Sequence, residues 1–303
     1  MEAIVTKAIF FLLLISIGNL LKVIGILKKE DHKILIKIVF NLTLPATLIS
    51  GFKEFNYDNS LLILILLGIV MNVIMVFIGF FIGRGKSKEI RGMYMLCCSG
   101  YNISLFTIPL VASFLDRKSL IVVAMFDIGN LIMGLGGVCF LAAALTKADS
   151  GMCKRAILKD LFTNVPFLSY IVMLMLSITD IKLADKIFEF TDFMADANTV
   201  LVMLLIGLMF DIQVLKKIRE VFQVLLVRYL FAGAILILIV NLSPLPREYN
   251  VALSIVAFAP VTTISPILCE RMKYRYDTAG ALFSCGIPIS LFFITGLVLY
   301  LNL

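Results

Sequence analysis

Charge is scarce in this 303-residue chain: Asp, Glu, Lys and Arg together make up 16% against 61% hydrophobic residues. That balance excludes a soluble fold. Histidine occurs once, as His32 in a charged turn, so no set of histidine metal ligands can be assembled. The six cysteines (Cys97, Cys98, Cys139, Cys153, Cys269, Cys285) show no C-x-x-C spacing, and all but Cys153 lie in or at the ends of apolar runs. They are expected to be reduced packing residues, with no disulfide or metal framework. There is no H-E-x-x-H, no Walker A motif and no G-x-S-x-G followed by a histidine, so neither an enzyme nor a nucleotide-driven pump is expected, and no cofactor or metal. Ser/Gly/Pro-rich linkers are missing too, which leaves no place for a separate soluble domain.

What fills the chain is apolar sequence, with a mean hydropathy of +1.06. Apolar runs between charge clusters give ten segments, at roughly 5–27, 34–52, 60–83, 90–115, 119–145, 161–179, 194–210, 221–242, 249–269 and 278–301. The third, fifth and tenth run past the ~20 residues needed to cross the hydrocarbon core. The first apolar stretch, Ala8–Leu27, is too long for a signal h-region and shows no small-residue cleavage site, so it is expected to remain in place. The second and seventh have short uncharged spans, so polar flanks must complete them or they sit partly inside the protein.

The net charge of +7 resides in the turns. Seventeen basic residues fall in the turns at 28–33, 84–91, 147–159, 216–219 and 271–275, and seven (Lys7, Lys53, Arg117, Lys118, Lys182, Lys186, Arg247) in the alternate set. Parcelled this way they report topology, and nucleic acid is not expected as a partner. Basic residues are retained on the cytoplasmic side, which places both termini outside and the loop at 146–160 inside. Lys22, Lys37 and Arg228 fall within segments near their cytoplasmic ends, where long stems are expected to snorkel to the interface. Five segments before the central loop and five after it force the second half to enter the membrane inverted. The domains are therefore a first repeat at 1–145, a connecting loop at 146–160 and a second repeat at 161–303.

Proline breaks two segments near their middles, the fourth (CSGYNISLFTIPL) and the ninth (APVTTISPILC), which an inverted repeat places opposite each other. In lipid a broken helix is tolerated where the freed backbone groups line a cavity, and paired breaks in two halves point to the substrate site of a secondary transporter. Asn102, Ser104, Thr107 and Pro109 would supply an amide, two hydroxyls and a freed carbonyl; Pro260, Thr262, Thr263, Ser265 and Pro266 supply hydroxyls and carbonyls. Half-helix N-termini carry partial positive charge, which suits a carboxylate without a formal cation. The alternative is a packed kink whose Ser and Thr re-satisfy the backbone. Asn41, Thr43 and Pro45 (NLTLP) mark a further broken stretch in the second segment. Asp127, with Asn130, lies about eight residues into the fifth, and an acid inside the membrane is a candidate proton carrier. It could instead pair with Arg228 or Lys22, or sit near the interface.

Ile17–Phe52, the Asn102-x6-Pro109-Leu110 spacing and Ala259–Glu270 resemble the auxin efflux carrier family, in particular its bacterial members. The resemblance implies an all-α integral membrane fold of ten helices in a five-plus-five inverted repeat, with the fourth and ninth unwound where they cross. It implies a scaffold of segments 1, 2, 6 and 7 through which two copies would dimerise, and a moving domain of 3–5 and 8–10. It also puts the NLTLP stretch on the scaffold wall of the cavity. Thr107 stands where the family often has Gly, and Asn164-Val165-Pro166 carries one residue more than its usual Asn-Pro. The expected protein is a multi-pass carrier of the inner or plasma membrane moving a small, carboxylate or auxin-like organic anion, by elevator-type alternating access. A channel or a membrane sensor on the same helices is the alternative.

Overall fold

The computed structural model describes residues 2–53, 58, 61–147, 159–210 and 218–301. Most of the 146–160 loop, Cys153 and the terminal Leu303 lie outside the described residues. Those residues form helices and no strand. In chain order the helices are α1 (Glu2–Val23), α2 (His32–Gly51), α3 (Leu62–Ile82), α4 (Lys88–Cys98), α5 (Ile103–Phe114), α6 (Arg117–Thr146), α7 (Val165–Ile178), α8 (Asp185–Met209), α9 (Ile218–Leu242), α10 (Arg247–Ala257), α11 (Ile264–Arg271) and α12 (Tyr276–Tyr300). Seven of these are long and apolar enough to cross a membrane: α1, α2, α3, α6, α8, α9 and α12. The 21 residues of α3 span about 30 Å at 1.5 Å per residue, a full hydrocarbon core.

Local chemistry sets the ends. Asn164 caps α7 by accepting from the Phe167 N–H at 2.9 Å, with Pro166 in the first turn where its missing donor costs nothing. Asp116 caps α6 in the same way, through the Ser119 N–H at 2.8 Å. The seventh segment is completed by its polar flank, since α8 begins at Asp185 and carries Glu189, Asp192 and Asp196 before its apolar half.

The second segment does not break. Its helix passes through a wide π-turn at Val39–Thr43 and continues into Leu44–Gly51, so Pro45 is accommodated by widening the preceding turn. In the fourth segment the break lies at Ser99–Asn102, seven residues ahead of Pro109, which sits in regular helix after another π-turn at Ile103–Thr107. Gly100 makes that break. Its φ of +71° is one that a side chain disfavours, and a Cβ there would meet Thr262 Cγ2 at 2.7 Å. In the ninth segment the break spans Phe258–Thr263 and contains Pro260 itself.

Two packing groups emerge. Helix α1 packs along α8, and α8 and α7 pack on α2; in the second group α3 lies on α6 and α4, α10 on α6 and α9, and α11 on α12. Where helices touch most closely they do so through glycine, as expected for helix pairs in lipid. Cys97, Cys98, Cys269 and Cys285 are free thiols. Cys139 is disulfide-bonded, against the expectation of six reduced cysteines.

Candidate functional site

The two breaks meet. Tyr101 and Val261 form an isolated antiparallel bridge, and the Asn102 N–H donates to the Pro260 carbonyl at 3.0 Å. Backbone groups freed by one broken helix are thus partly satisfied by the other. Ser265 adds a second tie, its hydroxyl donating to the Leu96 carbonyl at 2.7 Å. Thr107 is used within its own segment, Oγ1 donating to the Asn102 carbonyl at 3.2 Å.

The carbonyl ends of α4 and α10 are closed by one side chain. Arg228, on α9, is 5% exposed, and its Nη1 donates to the carbonyls of Cys97 (3.1 Å), Cys98 (2.5 Å), Ser99 (3.2 Å) and Gly100 (3.2 Å). Its Nη2 donates to Ala259 (2.9 Å) and Pro260 (3.3 Å), and the guanidinium lies 5.0 Å from the Tyr101 ring centroid. The planar fork serves several acceptors at once, and its charge opposes the negative poles of both half-helices. Arg228 does not snorkel: a formal cation stands at the crossing, where the sequence indicated none. Lys22 donates to the Phe210 carbonyl at the end of α8.

Two asparagines pin the first break. Asn72 accepts from the Gly100 N–H at 2.7 Å and donates to Asn130 at 3.2 Å; Asn130 accepts from the Tyr101 N–H at 3.1 Å and donates to the Tyr101 carbonyl at 2.9 Å. The other Asn130 contact is to Asp127 Oδ1, at 2.9 Å. Asp127 is fully buried, and its Oδ2 accepts from Ser104 at 2.6 Å and from Tyr170, on α7, at 2.8 Å. It pairs with neither Arg228 nor Lys22, nor does it sit at an interface; hydroxyls and an amide hold it. Tyr170 and Asn72 were missed from sequence. Asn72 had left a signal, as the single amide in the apolar run of α3, whereas Tyr170 left none.

These groups surround a small cavity of about 20 Å³, room for one water. Asn102, Ser104, Asp127, Asn130, Thr262 and Thr263 line it, and the N-terminal residues Ile103 and Ile264 of the two second half-helices reach it. The Asn102 side chain is 2% exposed and its Nδ2 has no partner. Beside this cavity opens a vestibule of about 520 Å³, at the end of the molecule that bears His32 and Asp277; both spaces touch Phe40, Thr263 and Ile264. Pro266 lines the vestibule only. A recess of about 450 Å³ at the opposite end, lined by Ser50, Asp116, Arg117 and Asp192 among others, shares no residue with the cavity.

The NLTLP stretch stands apart. Asn41 is exposed and its amide donates to the Lys37 carbonyl at 2.7 Å, turned away from the cavity because the helix runs on unbroken. Thr43 is buried against α8, where its hydroxyl donates to Asn198 Oδ1 at 2.8 Å, and Pro45 is buried within α2.

Comparison with known proteins decides the family. A family model described as membrane transport protein matches residues 3–298. The chain belongs to this family. It is the auxin efflux carrier group whose motifs the sequence resembles. The chain is also similar to an uncharacterized transporter of Methanocaldococcus jannaschii, 22% identical over 215 residues that cover 68% of each chain. This membrane transport protein is therefore a multi-pass protein of the lipid bilayer.

Proposed function

We propose that this transporter is a secondary carrier that binds a small organic anion at the crossing and moves it by alternating access. One observation carries the reading: Asn102 presents a buried, unpartnered amide to a cavity where two half-helix N-termini converge. Unpaired donors inside a protein are costly, and one aimed at a cavity fits a ligand that accepts a hydrogen bond. Ser104, Thr262 and Thr263 would contact the anion with it. Thr107, Pro109, Pro260, Ser265 and Pro266 would shape the backbone around it. The apolar vestibule suits an anion with a hydrocarbon part.

In this reading α4–α5 and α10–α11 each complete one crossing, giving ten spans in a five-plus-five inverted repeat. The group of α1, α2, α7 and α8 is the scaffold, with a second copy docked on it, and the other group slides against it. Because the vestibule opens at the basic end, the crossing faces the cytoplasm in this conformation. Cysteine-accessibility labelling should place 146–160 in the cytoplasm and Leu303 outside; both on one side would end the inverted repeat.

A thermal-shift screen of mono- and dicarboxylates tests the substrate class, since a ligand at about 100 times its Kd adds ~2.7 kcal/mol of stability. With a ligand in hand, Asn102→Ala should weaken binding by ~1–3 kcal/mol, the range for removing one partner of a buried hydrogen bond. Leu66→Ala, on the exposed face of α3, should leave affinity as it is. Wild-type affinity in monodisperse Asn102→Ala would move the site elsewhere, and flux without solute counterflow would make the protein a channel.

A further inference from the structure

Among the described residues only two charged side chains are buried, Asp127 at 0% and Arg228 at 5% exposure. Both belong to the group of helices that carries the crossing, Asp127 on α6 and Arg228 on α9. They are not an ion pair: Tyr101 lies between them, its ring under the guanidinium and its backbone bonded to Asn130. Arg228 is committed to six carbonyls and is a fixed +1. Asp127 lines the same cavity as Asn102, within reach of whatever enters with the ligand.

The groups facing Asp127 are neutral. They are Ser104 of α5, Asn130 of its own helix and Tyr170 of α7. Helix α3 presents Asn72, bonded to Asn130. Helix α2 has no titratable residue between Leu44 and Gly51, and the titratable residues of α10, Arg247, Glu248 and Tyr249, lie in its first turn with Arg247 and Glu248 exposed. The charge of the buried interior is therefore set by Arg228, Asp127 and the ligand alone.

Shifting net charge through a low-dielectric interior is costly, and each elementary charge also couples to the membrane potential. Empty, with Asp127 ionised, the interior sums to zero. A bound monovalent anion brings it to −1, and one proton on Asp127 restores zero. We propose that the crossing loads one monovalent anion together with one proton, which forms an O–H bond on the Asp127 carboxylate, so that the moving group is neutral both loaded and empty. This rests on the reading of the crossing as an organic-anion site. The transport it predicts is electroneutral proton–monoanion symport, with monocarboxylates carried in preference to dicarboxylates.

The test uses the full-length protein in liposomes with labelled acetate, lactate and indole-3-acetate as monovalent probes and succinate as the divalent one. Uptake of at least one monovalent probe should follow an imposed pH gradient and stay flat when a potential is imposed at equal pH. Asp127→Asn fixes the neutral form, so the loaded group is still neutral while the empty one carries +1; the ratio of net uptake to exchange should fall about tenfold or more. Asp127→Glu, which restores a titratable acid, should recover most of that ratio and guards against a folding defect in the amide variant. Uptake that follows the potential but ignores the pH gradient would overturn the symport while leaving the anion site standing. If none of the four probes binds or moves, the anion site itself fails, and the symport with it.

Discussion

Arg228→Met should lower the stability of the purified protein by about 3 kcal/mol or more, since each buried carbonyl left without a partner costs about 1–3 kcal/mol, and should abolish uptake. Methionine preserves most of the volume but supplies no donor. Six buried carbonyls, at Cys97, Cys98, Ser99, Gly100, Ala259 and Pro260, then lose a partner. Loss should extend beyond stability, because these carbonyls belong to the two stretches whose mutual bridge holds Asn102 in place. Arg228→Lys should recover part of the melting temperature and little of the transport: an ammonium keeps the charge but cannot span both broken segments. Lys37→Met, at an exposed position on α2, should shift melting by no more than a surface substitution does. Melting of Arg228→Met within that same margin would mean that the carbonyls are satisfied without the guanidinium.

The broken segments were legible because proline in a 20-residue apolar run has few permitted roles. Where each break falls was less so. In the fourth segment Gly100, with its positive φ, places the break nine residues before the proline that advertised it. Asn41-Leu42-Thr43-Leu44-Pro45 carried the same kind of signal and yields only a π-turn, since a proline can be absorbed by widening one turn as well as by breaking the helix. Arg228 was misread for a geometric reason. Its helix starts at Ile218, earlier than the apolar run suggests, so the guanidinium begins about 15 Å up the helix, beyond the reach of an interface to which it could snorkel. Asp127 stood out as an intramembrane acid with Asn130 one turn on, but its other two partners, Ser104 and Tyr170, come from two further helices that no sequence periodicity brings to it. Tyr170 is the clearest case, one aromatic among many until α7 is seen to pack beside α6.

Gly129→Ala should be among the most damaging single-methyl changes in the chain. A Cβ at Gly129 would lie 2.0 Å from the Ile65 carbonyl oxygen, and one at Gly68 would lie 2.4 Å from the Phe126 carbonyl oxygen, so α3 and α6 meet backbone to backbone across this pair. Backbone cannot swing aside as a side-chain tip can; the helices must separate, and overpacking of a tight contact costs about 1–3 kcal/mol or more. Gly129 also sits between Asp127 and Asn130. Separation there drags Asn130 from Tyr101 and Asn72 from Gly100, so binding at the crossing should fail together with stability. Gly207→Ala makes the matching test in the other packing group, where a Cβ would lie 2.0 Å from the Ile15 carbonyl oxygen at the contact of α8 with α1. It should lower the melting temperature comparably yet leave ligand affinity in the folded fraction near wild type, because no crossing residue hangs from that contact. Gly233→Ala, with nothing within 4 Å of the added methyl, should be neutral or stabilising by up to ~1 kcal/mol through the unfolded chain. Melting and binding measured on all three variants separate close packing in general from the one contact that carries the site. If Gly129→Ala kept wild-type affinity while melting early, the asparagine pair would not be what holds the first break in register.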